Sequence, residues 1–214
     1  MLRAHEHRRS GGARVSATEP LTSPEVSVKL FVQDGAGVRL RELIPVFHRW
    51  IREDLLSDEL MIDVANYEHV PKGPGVVLIC DRAHYYFDVR AGRAGLRYRG
   101  RREARATGAE AIAGAFGSAL RAAALLASDP VLEGRYRFRT DEVEVGIYDR
   151  LRAPSDEHTL AAVRPALEDV VRDLFGVVPE AIDLTSAPKE PFMVSVRTGS
   201  KRTVEELLGQ VAAT

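Results

Sequence analysis

Apolar and polar residues alternate in EVSVKL (25–30), with Val26, Val28 and Leu30 on one side, and again in EVEVGI (142–147), with Val143, Val145 and Ile147. Both segments predict half-buried strands. Downstream of each the period changes. Apolar side chains recur at Leu40, Leu43, Ile44, Phe47, Trp50 and Ile51, and in the later segment at Leu160, Val163, Leu167, Val170, Val171 and Leu174. That spacing predicts a helix with one buried face in each place. Pro45 and Pro165 occupy matching positions in LRELIPVFHRWIRE (40–53) and LAAVRPALEDVVRD (160–173). A proline costs roughly 3 kcal/mol inside a helix but is tolerated in its first turn, so both helices are expected to begin late or to bend.

The correspondence continues along the chain. MIDVA (61–65) aligns with AIDLT (181–185), placing Asp63 on Asp183, and HVPKGPGVVLI (69–79) aligns with SAPKEPFMVSV (186–196), placing Pro71, Lys72 and Pro74 on Pro188, Lys189 and Pro191. Each copy ends in a further helix, over 108–127 in the first and 202–212 in the second. The first copy alone inserts a hairpin, with strands near His84 to Arg90 and Leu96 to Arg101 around AGRAG. The expected fold is α+β: a tandem duplication of a strand-helix-strand-strand(-helix) unit, giving a mostly antiparallel sheet with helices packed on one face. Residues 1–23 are expected to form a disordered tail, 24–140 the first repeat and 141–214 the second. One unit of ~60 residues has too little core to stand alone, so the two are expected to make one compact domain.

This order of elements resembles the duplicated strand-helix-strand-strand modules of gyrase-inhibitor-like ligand-binding domains, over roughly residues 25–200. The resemblance implies a small-molecule pocket between paired units and transfers no binding residue. The hairpin and the two added helices depart from the family pattern.

Composition narrows the function classes. The 214 residues are 45% hydrophobic and 29% charged, with a net charge of −1, which argues against a dedicated polyanion binder. A single cysteine, Cys80, excludes an intramolecular disulfide and suits a reducing, cytoplasmic setting. The first 23 residues lack the apolar run of a secretory signal. The most apolar stretch, Gly108 to Ser128, carries Glu110 and Arg121 and is rich in alanine, which predicts a buried, closely packed helix rather than a membrane span.

Features present in both copies read first as scaffold, and features of one copy as function. By that test Asp63 and Asp183 are structural, although a carboxylate among apolar neighbours also suits a tuned acid or base. The asymmetric loop Asn66 to Gly75 gathers an amide, phenol, carboxylate, imidazole and ammonium group. With the strand beyond it, it makes Asp63, Tyr67, His69, Lys72 and His84 the candidate ligand-binding residues. Gly73 and Gly75 have neither the Walker nor the dinucleotide-binding spacing. Cys80, Asp81 and His84 invite a nucleophile reading, but Val76, Leu78 and Cys80 alternate on one strand face, so an inert buried thiol is the simpler account. His48, His69, His84 and His158 are scattered without ligand spacing, so no metal and no cofactor is expected.

From Arg90 to Arg105 there are seven arginines and one acidic residue, a local charge of +6. Alternation puts Tyr85, Phe87, Leu96 and Tyr98 on one hairpin face and Arg97, Arg99 and Arg101 on the other. Arg97, Arg99, Arg101 and Arg102 are therefore candidate contacts for an anionic partner. Residues 141–180, with ten carboxylates and four arginines, offer a complementary acidic surface. An edge hairpin whose charges deter aggregation is the plainer reading. The favoured function is a non-enzymatic binding or assembly protein, a homo-oligomer or the partner of another protein. The alternatives are a small-molecule binder or enzyme using the Asp63–His84 region, and a phosphate or nucleic-acid binder using the hairpin, disfavoured because no reader motif accompanies the charge.

Overall fold

Strand β1 (Val26–Val32) forms where the alternation predicts it, yet every one of its residues is buried. The computed structural model describes residues 24–33, 37–71, 73–89, 92–101 and 107–211, so the tail expected over 1–23 lies outside them, as do Lys72 and Arg102. After β1 come α1 (Leu43–Glu53), β2 (Met61–Asn66), β3 (Val76–Cys80), β4 (Ala83–Asp88), β5 (Gly95–Gly100) and α2 (Gly108–Ala127). The second half contributes β6 (Phe138–Ile147), α3 (Glu157–Phe175), β7 (Ala181–Leu184), β8 (Phe192–Arg197) and α4 (Val204–Val211). Among the described residues the eight strands form one sheet in the order β2-β3-β4-β5-β1-β6-β8-β7. All of its pairings are antiparallel. The fold is α+β with the helices on one face.

β1 and β6 lie side by side at the centre. Val28 faces Val145, with Val26 opposite Ile147 on one side and Leu30 opposite Val143 on the other. The sequence alignment interchanges these flanking pairs, so the register is the one that a twofold axis through Val28 and Val145 would impose. Outward from this centre the halves differ. β8 pairs directly with β6, whereas β4 and β5 intervene between β1 and β3. The hairpin is thus an internal part of the sheet and not an edge, because its apolar face joins the core while both of its flanks find strand partners.

That core is a single cluster on the helix side. Val28, Leu30, Leu78, Tyr85, Leu96, Val145 and Val194 from the sheet meet Leu43, Phe47 and Trp50 of α1, Phe116 and Leu120 of α2, and Val163 and Leu167 of α3. α2 starts with a capping box in which Thr107 and Glu110 satisfy each other's backbone amides. By length and composition α2 could cross a membrane, but its alanine-rich surface packs against β1, β5, α3 and α4.

The two helical prolines behave differently. A turn of 3-10 helix at Leu40–Glu42 precedes α1, which puts Pro45 in the first α-helical turn as expected. α3 starts earlier than expected, where Asp156 accepts a hydrogen bond of 2.8 Å from the Thr159 amide, so Pro165 falls in the interior. The helix tolerates it because Leu160, Val163, Leu167, Val170, Val171 and Phe175 are buried along one side. At roughly 1.5–3 kcal/mol each, their burial outweighs a proline penalty of ~3 kcal/mol.

Candidate functional site

Strand alternation gives the sheet a second face, turned away from the helices. Across it runs a cross-strand row in which Tyr86 on β4 faces Arg97 on β5, Arg97 faces Lys29 on β1, and Lys29 faces Glu144 on β6. The row continues through Ser195 on β8 to Asp183 on β7. A sheet face that no helix covers among the described residues is ordinarily wet, but Lys29 and Asp88 are each only 3% exposed here and Arg97 1%. Buried charges must be paired. Arg97 meets that demand from three sides, donating from Nε and Nη2 to Asp88 Oδ2 at 3.2 and 3.0 Å, from Nη1 to Ser27 Oγ at 3.2 Å, and from Nη2 to Glu144 across the width of β1. Burial works against the Arg97 cation, but Tyr148, Glu144 and Tyr86 hold its pKa above the usual arginine value.

Lys29 is less well provided for. Its Nζ donates to the Arg93 carbonyl at 2.6 Å and lies 3.5 Å from the same Asp88 oxygen that Arg97 uses. Burial lowers its pKa to about 8, an effect that Asp88 opposes and Arg97 reinforces. Beside it, Arg93 stacks on Phe31 with its guanidinium carbon 3.8 Å from the ring centre and donates to Glu142 at 2.7 Å. Ser195 donates to the same carboxylate at 2.8 Å. Burial would raise the Glu142 pKa, but these two hydrogen bonds hold it below the ordinary value.

Two cavities open above this row. One, of about 570 Å³, is lined by Lys29, Asp88, Arg93, Arg97, Glu144 and Tyr148 together with residues of the β7–β8 turn and β8 from Thr185 to Ser195. The other, of about 360 Å³, is lined by Tyr67, Pro74, Val77, Ile79, His84, Tyr86, Arg99 and Tyr148. Tyr148 belongs to both, and its ring is stacked under Arg99 at 3.8 Å. The first cavity supplies paired charges and hydrogen-bonding groups, and the second supplies flat aromatic and aliphatic walls. A larger cleft of about 780 Å³ runs beside α2, lined among others by Arg82, Arg101 and Arg121.

The candidate residues from the sequence separate accordingly. Tyr67 and His84 line the aromatic cavity together. Asp63 lies on the same face but two strands from His84, exposed, with Oδ1 accepting from the Val64 amide at 2.7 Å. Its counterpart Asp183 is exposed beside Arg197 at 3.4 Å. His69 is exposed in the turn and lines neither cavity, and Lys72 lies outside the described residues. Among the arginines, Arg97 is buried and committed to carboxylates, and Arg99 pairs with Glu25. Arg101 is exposed, with Nη2 3.4 Å from His84 Nε2, and Arg102 is outside the described residues. Burial and the charges of Arg101 and Arg99 lower the His84 pKa, which favours the neutral ring.

Cys80 and His84 point to opposite sides of the sheet, so no thiol–imidazole pair forms. Cys80 is buried on the helix side, where burial and Glu59 push its pKa up to about 12. Among the described residues no three histidine, cysteine or acidic side chains converge in a way that could hold a metal ion. The basic hairpin and the acidic segment do meet, but inside one chain, through Arg93 with Glu142 and Arg97 with Glu144. Lys29, Asp88, Glu144 and Tyr148 escape the sequence reading because each looks like an ordinary polar position at a strand or turn. The available signal was the lysine of VSVKLFV beside an arginine-rich hairpin.

No protein-family model matches this chain, and no curated protein does either.

Proposed function

We propose that the chain is a non-enzymatic binding protein whose ligand is a small organic molecule held on the helix-free face of the sheet. The observation that carries this reading is the row of buried Asp88, Arg97 and Lys29 with half-buried Glu144 at the floor of a cavity. Replacing a buried ion pair with apolar side chains is often neutral or stabilising, so a stability requirement alone gives weak reason to keep such a row. A concave site with a few fixed polar groups and apolar walls is the usual form of a small-molecule pocket. The likeness to gyrase-inhibitor-like domains agrees with such a pocket. The basic hairpin carries less of an assembly or nucleic-acid reading once Arg97 is buried. Homo-oligomer formation is the second reading, favoured by Leu60 and Ile62, which are 70% and 57% exposed at and beside the edge strand β2. We place the protein in the cytoplasm, in keeping with its unpaired cysteine.

Native mass spectrometry of gently purified protein tests both readings. A reproducible extra mass that disappears in a folded Tyr148→Ala variant supports the pocket. A bare dimer or larger assembly with no small-molecule mass, unchanged by the same substitution, favours assembly and counts against the pocket.

A further inference from the structure

Lys29 differs from an ordinary structural lysine in how its neighbours are spent. The carboxylate directly opposite it on β6, Glu144, accepts a hydrogen bond from Arg97, which reaches across β1 to it. The other nearby carboxylate, Asp88, receives two hydrogen bonds from Arg97 on the single oxygen that Lys29 approaches. The residue facing Lys29 on β5 is Arg97 itself, a like charge across the strand pair. Arg93 closes the remaining side, giving Lys29 its backbone carbonyl while its guanidinium turns to Glu142. Arg97 and Lys29 together balance the two carboxylates of the row, but Arg97 takes the closer contacts to both, and the lysine left with the longer contact of 3.5 Å lines a cavity whose neighbour is walled by three tyrosines. An amine placed beside cations and removed from water is a recognised nucleophile toward carbonyl carbon.

We propose that Lys29 captures small aldehydes or ketones, aromatic ones foremost, as reversible imines in the cavity on the helix-free face; this rests on the ligand-site reading above. The neutral amine attacks the carbonyl carbon, forming the C–N bond, and the carbonyl oxygen takes up a proton to give the carbinolamine. Loss of that hydroxyl as water, with the remaining nitrogen proton balancing it, leaves the C=N bond. Amine and carbonyl thus become imine and water with no oxidant or reductant. The depressed pKa of about 8 supports the assignment, since it leaves part of the Lys29 population neutral near pH 7.

The chain contains four lysines, Lys29, Lys72, Lys189 and Lys201, so the others serve as internal controls. The full chain is incubated at pH 7 with benzaldehyde and sodium cyanoborohydride, which reduces an imine to a stable benzylamine, and the label is mapped by peptide mass spectrometry. Lys29 is expected to carry at least about tenfold more label than Lys189 or Lys201, since its pKa gives a neutral-amine advantage of over a hundredfold at pH 7, part of which burial offsets. Lys29→Arg, which keeps the cation, should abolish that label and leave the other lysines unchanged. Benzyl alcohol, of the same shape but lacking the carbonyl, should protect Lys29 by competition. Label spread over the exposed lysines and sparing Lys29, in protein that still binds benzyl alcohol by ligand-observed NMR, overturns the imine and leaves the pocket standing. Absence of both labelling and benzyl alcohol binding removes both readings for this ligand class.

Discussion

Lys29 is where one residue makes the folded state depend on pH. In the unfolded chain its ammonium has the ordinary value of 10.5, and in the folded protein about 8. Well below pH 8 both states are almost wholly protonated and the cost of burying the cation is fully present. Between pH 8 and 10.5 the unfolded state holds more protons, so this residue's contribution to stability rises with pH there, by on the order of 2–3 kcal/mol over the window. Cys80 and Tyr85 act in the opposite sense, because burial raises both pKa values and folding is opposed once the unfolded groups ionise. A difference measurement isolates the lysine. Lys29→Met is expected to lose stability relative to wild type as the pH rises from 8 to 10.5, in urea denaturation series at matched pH. Parallel curves for the two proteins across that range would show that Lys29 is not held in the environment described.

The hairpin β4–β5 decides both the width of the sheet and the chemistry of its open face, and its fit beside β1 depends on glycine. A Cβ added at Gly95 would run into the Leu30 carbonyl oxygen of β1 and stand 3.0 Å from Lys29 Cε, so the strand pairing itself must shift. At Gly146 on the other flank, a Cβ meets Met193 and Ser27 side chains, and a methionine thioether can move. Gly95→Ala is therefore expected to destabilise by about 2–4 kcal/mol and Gly146→Ala by only about 1 kcal/mol, measured as shifts in urea midpoint at constant slope. Equal costs would mean that β5 does not approach β1 as closely as described. This dependence on a neighbouring strand also explains what was legible in the sequence. Strand alternation, helical period, the hairpin and the apolar helix over 108–127 are local patterns, and all appear in the fold. The place of the hairpin between β1 and β3 is a non-local pairing with no local signature. Ser27 and Lys29 read as solvent-facing because they alternate with Val26, Val28 and Leu30. They are buried only because Arg97 and Asp88 arrive from residues far along the chain. Tyr67 and His84 stand out because functional groups concentrate between Asn66 and His84, whereas one lysine in a strand, such as Lys29, signals nothing by itself.

At the scale of the molecule, the chain is organised outward from the β1–β6 pair. Both strands have partners on each side, and their helix-facing residues are buried, with α2 packed against β1 and α4 against β6. β2 and β7 are the sheet's edges, with one partner each and exposed positions at Ile62, Asp63 and Asp183. We propose that the two halves descend from one duplicated unit; the matched segments and the symmetric register about Val28 and Val145 support this, and the hairpin then entered only the first half. Such an arrangement has a thermodynamic consequence. Amides in the shared centre should exchange only through global opening, while edge amides exchange through local opening. Hydrogen exchange on the intact chain is expected to give Val26–Leu30 and Val143–Ile147 the same, highest protection, decreasing toward β2 on one side and β7 on the other. If β6 opened well before β1, the strands would not share one cooperative unit, and the central pair could not serve as the common floor from which Lys29 and Glu144 face each other.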